Sequence, residues 1–427
     1  MDANLKKELV QMNPWLRDKS AKIIDDEGFI PRVQLGELMD PEWDQVWTLL
    51  VGPRCAGKTT LGKYVSAQLL KDGRFKELLY LNCDYLSVRK WLASPIFISE
   101  AIEELGLEKP ILFIDEVQRL KNPGMLLKAV IDLGLPIKHI ATGSSQLEMK
   151  SKVQEFLTGR QVTALTLPLS QEEYQTPLEN VLIYGSYPQV VRSSKKEMQL
   201  TAIYQRYIQM DIVEILKVGQ PDVFQQLLGL LAHSSGQMVR YEQMATDCKV
   251  SSTMIRNHLD ILEQTFVIAK VTPFVGNKRT EITSNPIYYF IDNGFRNVAL
   301  RNFLPSVQRT DTGLLVEGFV FQELHKFKTG HYLNFDIHYW RTKSQAEVDF
   351  ILRKTNEQLL PIEVKYQSFQ KPAVPRSLRS FIEAYFPKVA IVVTKDYIGK
   401  AIVNDCQVHF ISVTELSRVF EMIREVL

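Results

Sequence analysis

No apolar run in the sequence is long enough to cross a bilayer, which excludes a membrane-spanning helix. The opening stretch, MDANLKKELVQMNPWLRDKS, lacks the continuous apolar segment of a secretory leader. Cysteine is scarce: Cys55, Cys83, Cys248 and Cys406 stand far apart, none at CxxC spacing. Neither a disulfide framework nor a zinc site is indicated. No charge sign dominates, with 51 basic and 49 acidic residues and a net charge of +2. A nucleic-acid partner would therefore need local basic patches. Repeats and low-complexity segments are missing too. These absences point to a soluble, reduced, cytoplasmic chain without a membrane partner. Its 427 residues, 45% of them hydrophobic, allow about three domains with their own cores.

What is present divides by pattern. After an N-terminal region, 1–43, residues 44–175 alternate short apolar runs with helical stretches. The runs VWTLLVG, ELLYLNCD, PILFIDE, IKHIATG and VTALTLPL are strand-like, and the alternation predicts a parallel α/β sheet. Residues 176–222 read as a helical linker. In 223–295, YEQMATDCKV and SSTMIRNHLDILEQTF resemble a helix-turn-helix, with Ser251 or Ser252 as N-cap. VIAKVTPFV and NPIYYFID would form a wing, making this segment a winged helix. Residues 296–427 return to α/β: the helix GLLVEGFVFQELHKF, then the strands FDIHYWRT, AEVDFIL, LPIEVKY, KVAIVVTK and CQVHFISV.

Gly52-Pro53-Arg54-Cys55-Ala56-Gly57-Lys58-Thr59, followed by Thr60, matches the phosphate-loop pattern G-x-x-x-x-G-K-[ST]. Its glycines let backbone N–H groups wrap phosphates, and the following helix N-terminus favours their charge. Lys58 is placed to reach the β- and γ-phosphates of ATP, and Thr59 to ligate Mg²⁺. A plain glycine-rich turn would need neither the strand before nor the helix after. About 55 residues on, ILFIDE ends an apolar strand with Asp115 and Glu116. Ligands sit at such C-terminal strand edges. Asp115 suits the Mg²⁺ shell and Glu116 the polarisation of the attacking water. IATGSS offers Ser144 or Ser145 to the γ-phosphate, and FLTGR places Arg160 before the next strand, where a solvated surface charge is the plainer role.

In this order GPRCAGKTT, LFIDEVQRL, TGSS, FLTGR and LPLS resemble the AAA+ ATPases. They look most like the prokaryotic subgroup that carries a C-terminal domain of unknown function. NPW near the N-terminus and GLLVEGFVFQEL…EVDFIL…IEVK extend the resemblance over nearly the whole chain. It implies a sheet with the Walker B and sensor strands beside the phosphate strand. It also implies self-association into a ring or other oligomer, with Arg160 as an arginine finger toward a neighbour's nucleotide. Cys55-Ala56 before Gly57 departs from the subgroup's usual loop, but both side chains are small.

A second set of carboxylates lies near the far end. In the helix after Gly313, Glu317 interrupts an apolar stripe of Leu314, Phe321 and Leu324. A carboxylate there calls for a cation or a hydrogen-bond donor. In EVDFIL, alternation puts Val348, Phe350 and Leu352 on one face and Glu347 and Asp349 on the other. In PIEVKYQ, Glu363, Lys365 and Gln367 oppose Ile362, Val364 and Tyr366. Neighbouring strands would thus present Asp349, Glu363 and Lys365 together, with Glu317 reaching in. Such hard oxygens suit Mg²⁺ or Mn²⁺, and a lysine beside the metal orients or deprotonates water. The set resembles the PD-(D/E)XK nucleases: Glu317 matches the helix acid, Asp349 the first strand acid, Glu363 and Lys365 the E-x-K. Val348 stands where the name has proline. Solvated strand charges, or a Glu–Lys salt bridge, would leave the same pattern.

The resemblances imply an ATP-hydrolysing protein coupled to a metal-dependent DNA nuclease or DNA-binding domain. Ser252, Arg256 and Asn257 would face a groove, and Lys278 and Arg279 would meet phosphates. A nucleotide-dependent switch with an inactive nuclease-like domain, and an ATPase that remodels a protein, are the competing functions.

Overall fold

The computed structural model describes residues 3–25, 28–144, 157–208, 212, 220–274, 285–343 and 345–427. The chain forms two units, Met1–Leu169 with Gln264–Phe266, and Ser170–Glu263 with Val267–Leu427.

In the first unit five strands, β1 (Trp47–Val51), β2 (Glu77–Asn82), β3 (Pro110–Asp115), β4 (Lys138–Gly143) and β5 (Gln161–Leu165), form one parallel sheet. Nearly every strand residue is at least partly covered, as expected for parallel strands packed on both faces. Leu49, Leu112, Ile114 and Ala141 join one core, while Leu50, Ile111, Phe113 and Ile140 join the other. The helix Lys58–Lys71 adds Leu61, Val65 and Leu69 to the second core. It lies close on the sheet because Gly62 has no side chain: a Cβ there would come within 2.5 Å of the Phe113 ring. The strand order is β2-β3-β4-β1-β5. The strand ending in Asp115 is therefore not a neighbour of the phosphate strand; β4 stands between them.

The edge of β2 is closed by the NPW segment. Asn13 accepts from the backbone N–H of Tyr80 (2.7 Å) and donates to its carbonyl (2.9 Å), and the Trp15 indole donates to Leu78 (2.8 Å). Side chains here take the place of a further strand on an otherwise bare edge.

The second unit is built on eight strands: β6 (Ile268–Pro273), β7 (Ile287–Phe290), β8 (Asp336–Arg341), β9 (Glu347–Arg353), β10 (Leu359–Lys365), β11 (Val389–Thr394), β12 (Gly399–Val403) and β13 (Cys406–Ser412). They pair in the order β12-β13-β11-β10-β9-β8-β6-β7. Antiparallel pairing joins β8, β9 and β10; β10, β11 and β13 run parallel. The helices Thr312–Gly330 and Leu416–Val426 pack on one face with Phe350, Leu352, Leu360 and Ile362. The helix Arg376–Tyr385 packs on the other with Val348, Ile351 and Leu359.

Three helices, Pro221–His233, Tyr241–Cys248 and Ser252–Gln264, precede the β6–β7 hairpin. The Ser251 hydroxyl accepts from the Met254 N–H (3.2 Å), which makes Ser251 the N-cap. The hairpin expected as a wing also joins the large sheet: β6 pairs β7 on one side and β8 on the other, Thr272 opposite His338. Among the described residues no helix is long and apolar enough to cross a membrane.

Candidate functional site

The phosphate loop leaves β1 at Val51 and enters the helix at Lys58. A Cβ on Gly52 would stand 2.1 Å from the Thr166 carbonyl oxygen, so the position accepts only glycine. Gly57 (φ 98°) and Cys55 (φ 63°) are left-handed. For Cys55 this conformation costs on the order of 1 kcal/mol that glycine would not incur. Pro53 and Ala56 are buried, Arg54 is partly covered, and Thr60 is exposed on the first helical turn. Arg32, which carries no motif, donates to the Ala56 carbonyl (3.1 Å) and steadies the loop from outside.

Lys58 is 4% exposed, and its ammonium donates to the loop's own carbonyls, Gly52 (2.9 Å) and Pro53 (2.8 Å). Burial pulls its pKa below the usual lysine value, against the pull of Glu116 and Asp115. Thr59 Oγ1 lies 3.0 Å from both carboxylate oxygens of Asp115. Two residues that sequence reasoning missed hold Asp115 from the sides: the Tyr80 hydroxyl donates at 2.7 Å and the Thr142 hydroxyl at 2.5 Å. Thr142 also accepts the backbone N–H of Glu116 (2.9 Å), which β4 can do because it lies beside β3.

Glu116 takes a left-handed backbone conformation (φ 55°) where the chain leaves β3. Burial is the main force raising its pKa and Asp115 adds to it, while Lys58 and a hydrogen bond from Gln118 oppose. The Gln118 amide nitrogen also donates to Ser144 Oγ (2.8 Å). Ser145, Lys278 and Arg279 lie outside the described residues.

The second acidic set is gathered by the other unit. The β9–β10 ladder runs from Leu359–Arg353 to Ile362–Phe350, one step short of Glu363 and Asp349. Asp349 Oδ2 accepts the Val364 N–H (2.6 Å), and Lys365 pairs with Glu363 (2.6 Å). Glu317 accepts from the Tyr289 hydroxyl (2.6 Å). The strict alternation expected in β9 is broken. Between the pairs His338–Ile351 and Trp340–Val348, the single residue Tyr339 faces both Asp349 and Phe350. This bulge sends Val348 to the core with Ile351, opposite Phe350 and Leu352. Bulges re-aim side chains in this way.

Burial raises all three carboxylates. Glu317 stands well above its usual value, with Asp349 adding to the effect; Asp349 is pushed to about 6 and Glu363 to about 8. Burial works against the Lys365 charge, yet Glu363 and Asp349 carry its pKa above the usual lysine value. Among the described residues, no three acidic, histidine or cysteine side chains converge as metal ligands. The ligand set expected from Glu317, Asp349 and Glu363 is therefore not drawn together: a protein donor engages each. One acceptor is left over, since Glu363 is 1% exposed and its Oε2 has no hydrogen-bond partner. In the segment expected to resemble a helix-turn-helix, Asn257 and Arg256 are exposed, and the Arg256 guanidinium stacks on the Tyr241 ring at 3.7 Å.

The AAA domain family matches residues 44–175. Residues 175–306 match a domain of unknown function (DUF8612), and 312–416 match another (DUF4143). An uncharacterized protein of Haemophilus influenzae is 25% identical over 372 residues, covering 82% of this chain and 88% of its own length. One of Mycobacterium tuberculosis is 24% identical over 355 residues, covering 81% and 75%. Among solved structures, DnaA of Aquifex aeolicus with AMPPCP aligns over 54% of this chain and 85% of its own, at 12% identity and a TM-score of 0.26.

Within residues 44–175, Arg160 stands at the end of the sheet away from the phosphate loop. Parallel pairing sets Gln161 beside Trp47 and Leu165 beside Val51, so five residues of strand separate Arg160 from the level of the loop. That distance is roughly 16 Å at the usual rise. Arg160 is half exposed and paired with Asp132 (2.5 Å).

Proposed function

We propose that the chain hydrolyses ATP with Mg²⁺ in the AAA domain and uses turnover to control a C-terminal site that cleaves DNA. The observation that carries the first part is the contact of Thr59 with both oxygens of Asp115, beside Glu116. A hydroxyl and a carboxylate are the hard oxygens Mg²⁺ takes, so the residues fit the ion. Held by Thr59 and Asp115, the ion would supply positive charge against the phosphates. Lys58 exchanges its two loop carbonyls for phosphate oxygens. Glu116 accepts a proton from the attacking water, and Gln118 keeps its carboxylate in place. Arg160, remote from its own loop, is supplied to the nucleotide of a second copy.

The DNA-cleaving part rests on the second acidic set. Its element order supports a nuclease-like core: a helix, three antiparallel strands, a crossover helix and a parallel strand. The buried Glu363 Oε2, which has no hydrogen-bond partner, is the acceptor that supports a divalent cation there, Mg²⁺ or Mn²⁺; Asp349 and Glu317 would have to leave their present donors to join it. The metal would stabilise charge on the phosphodiester. Lys365 orients water, and the helix-turn-helix, read as part of a winged helix, brings Arg256 and Asn257 to the DNA.

One observation favours a switch that binds without cutting: Lys365 is committed to Glu363, and the carboxylates are not convergent. Incubating plasmid and linear DNA with the protein, Mg²⁺ or Mn²⁺, with and without ATP, separates the two. Nicking that disappears in Asp349→Ala supports cleavage. Absence of nicking in every combination, with ATP turnover intact, leaves the switch.

A further inference from the structure

Asp115 is held from both of the strands beside it. From β4 the Thr142 hydroxyl donates to Oδ1 at 2.5 Å, and from β2 the Tyr80 hydroxyl donates to Oδ2 at 2.7 Å. Thr59 Oγ1 lies 3.0 Å from each oxygen, but a hydroxyl carries one proton and cannot satisfy both. The carboxylate is thus fixed on its flanks and keeps an acceptor in reserve on the side of Thr59. Tyr80 reaches it lengthwise: in the β2–β3 ladder Tyr80 stands beside Phe113, and Asn82 beside Asp115. The ring that spans this step is itself confined. It is 6% exposed, meets the Phe113 ring with centroids 5.2 Å apart, and carries the Lys63 ammonium 4.3 Å from its centre.

The backbone beneath that ring is gripped from outside the sheet. Asn13 bonds both the N–H and the carbonyl of Tyr80, at 2.7 and 2.9 Å. On either side, Trp15 donates to the Leu78 carbonyl (2.8 Å), and the Asn82 N–H donates to Met12 Sδ (3.3 Å). Alternate residues of β2 are therefore tied to the stretch Met12–Trp15, and the middle one carries the hydroxyl that holds Asp115.

We propose that Tyr80 is a positioning residue of the nucleotide site: it fixes Asp115, and it carries the grip of the N-terminal stretch Met12–Trp15 into that site. This rests on the reading of Thr59 and Asp115 as the Mg²⁺ shell of a bound nucleotide. Outer partners of metal ligands commonly contribute about 10- to 100-fold to affinity.

The test measures binding of AMPPCP, an ATP analogue that resists hydrolysis, to the full chain by isothermal titration calorimetry, in excess Mg²⁺ and in EDTA. Tyr80→Phe keeps the ring and loses only the hydroxyl; Tyr64→Phe loses one from a ring stacked on Phe29 at 3.8 Å. Thermal melts confirm that each is folded. Tyr80→Phe should weaken binding in Mg²⁺ by about tenfold or more, while its binding in EDTA, and that of Tyr64→Phe in both, stays within about twofold of the wild type. Asn13→Ala should weaken binding in Mg²⁺ too, and cost nothing more in the Tyr80→Phe background, because it acts through the same hydroxyl. Wild-type affinity in folded Tyr80→Phe, or an equal loss in Mg²⁺ and in EDTA, overturns the role of Tyr80 and leaves nucleotide binding standing. Asn13→Ala that binds as the wild type does, or that costs as much again in Tyr80→Phe, overturns the route from the N-terminal stretch. Wild-type binding that Lys58→Ala does not weaken, or that gains nothing from Mg²⁺, overturns the nucleotide reading itself.

Discussion

The Gln118 amide nitrogen lies 2.5 Å from Glu116 Oε2, and the same nitrogen reaches the Ser144 hydroxyl. The bond favours the ionised form of a carboxylate that burial and Asp115 both push toward protonation. Gln118→Met keeps the volume and removes the donor. Turnover at neutral pH should fall by about tenfold, on the order of one pKa unit in the base. The acidic limb of the rate–pH profile should move to higher pH. An unmoved limb would show that Gln118 does not tune Glu116.

Arg160→Ala should stop ATP turnover while barely altering the melting temperature, because an exposed pair with Asp132 contributes little. A trans finger is worth about 10³-fold or more. Inactive Arg160→Ala and inactive Lys58→Ala subunits should recover part of the activity when mixed. Failure of the mixture, in assemblies shown to exchange subunits, counts against a role in trans.

Asp349 and Glu363 are raised to about 6 and about 8 by burial, so folding favours their protonated forms. That stability is fully present below their unfolded values and is lost as pH rises through 6 and then 8. In metal-free buffer the melting temperature should decline over this window. Mg²⁺ or Mn²⁺ should restore more of it at the alkaline end than at the acid end, and Asp349→Asn should flatten the response. A metal-induced shift that does not depend on pH would contradict this account.

His139 and His325 behave oppositely. Burial lowers each to about 4, so both fold neutral. Their contribution is present above the unfolded value of 6.5 and is lost as pH falls toward 4. Each is worth on the order of 3 kcal/mol across that range. His139→Phe, which keeps a ring beside Trp47, should reduce the loss of stability on acidification, measured by urea unfolding between pH 7 and pH 4.5.

The loop from Gly52 through Thr59 and the pair Asp115–Glu116 were legible because each is contiguous in the sequence. Tyr80, Thr142, Gln118 and Arg32 were not, because each reaches the site from a separate segment and its residue type is ordinary there. Only the strand order brings Thr142 to Asp115. The E-x-K spacing of Glu363 and Lys365 was readable, but alternation misplaced Val348. A period of two residues cannot report a bulge, and the extra residue at Asp349–Phe350 is visible only against β8. Nor does alternation name a strand's neighbour, which is why the pairing of β6 with β8 could not be read from the sequence.

The double pairing of β6 has a consequence for how the protein is made and how it can be taken apart. While the chain is being synthesised, β6 and β7 emerge well before β8, so the flank of β6 that will receive Thr272's partner His338 waits bare. A transcript ending early, or an expression plasmid cut near residue 300 to isolate the three-helix segment with its hairpin, would leave that flank open to any passing strand. Recombination between genes meets the same obstacle: a foreign C-terminal half would have to bring a strand that fits β6 as well as an acid for Tyr289 to hold.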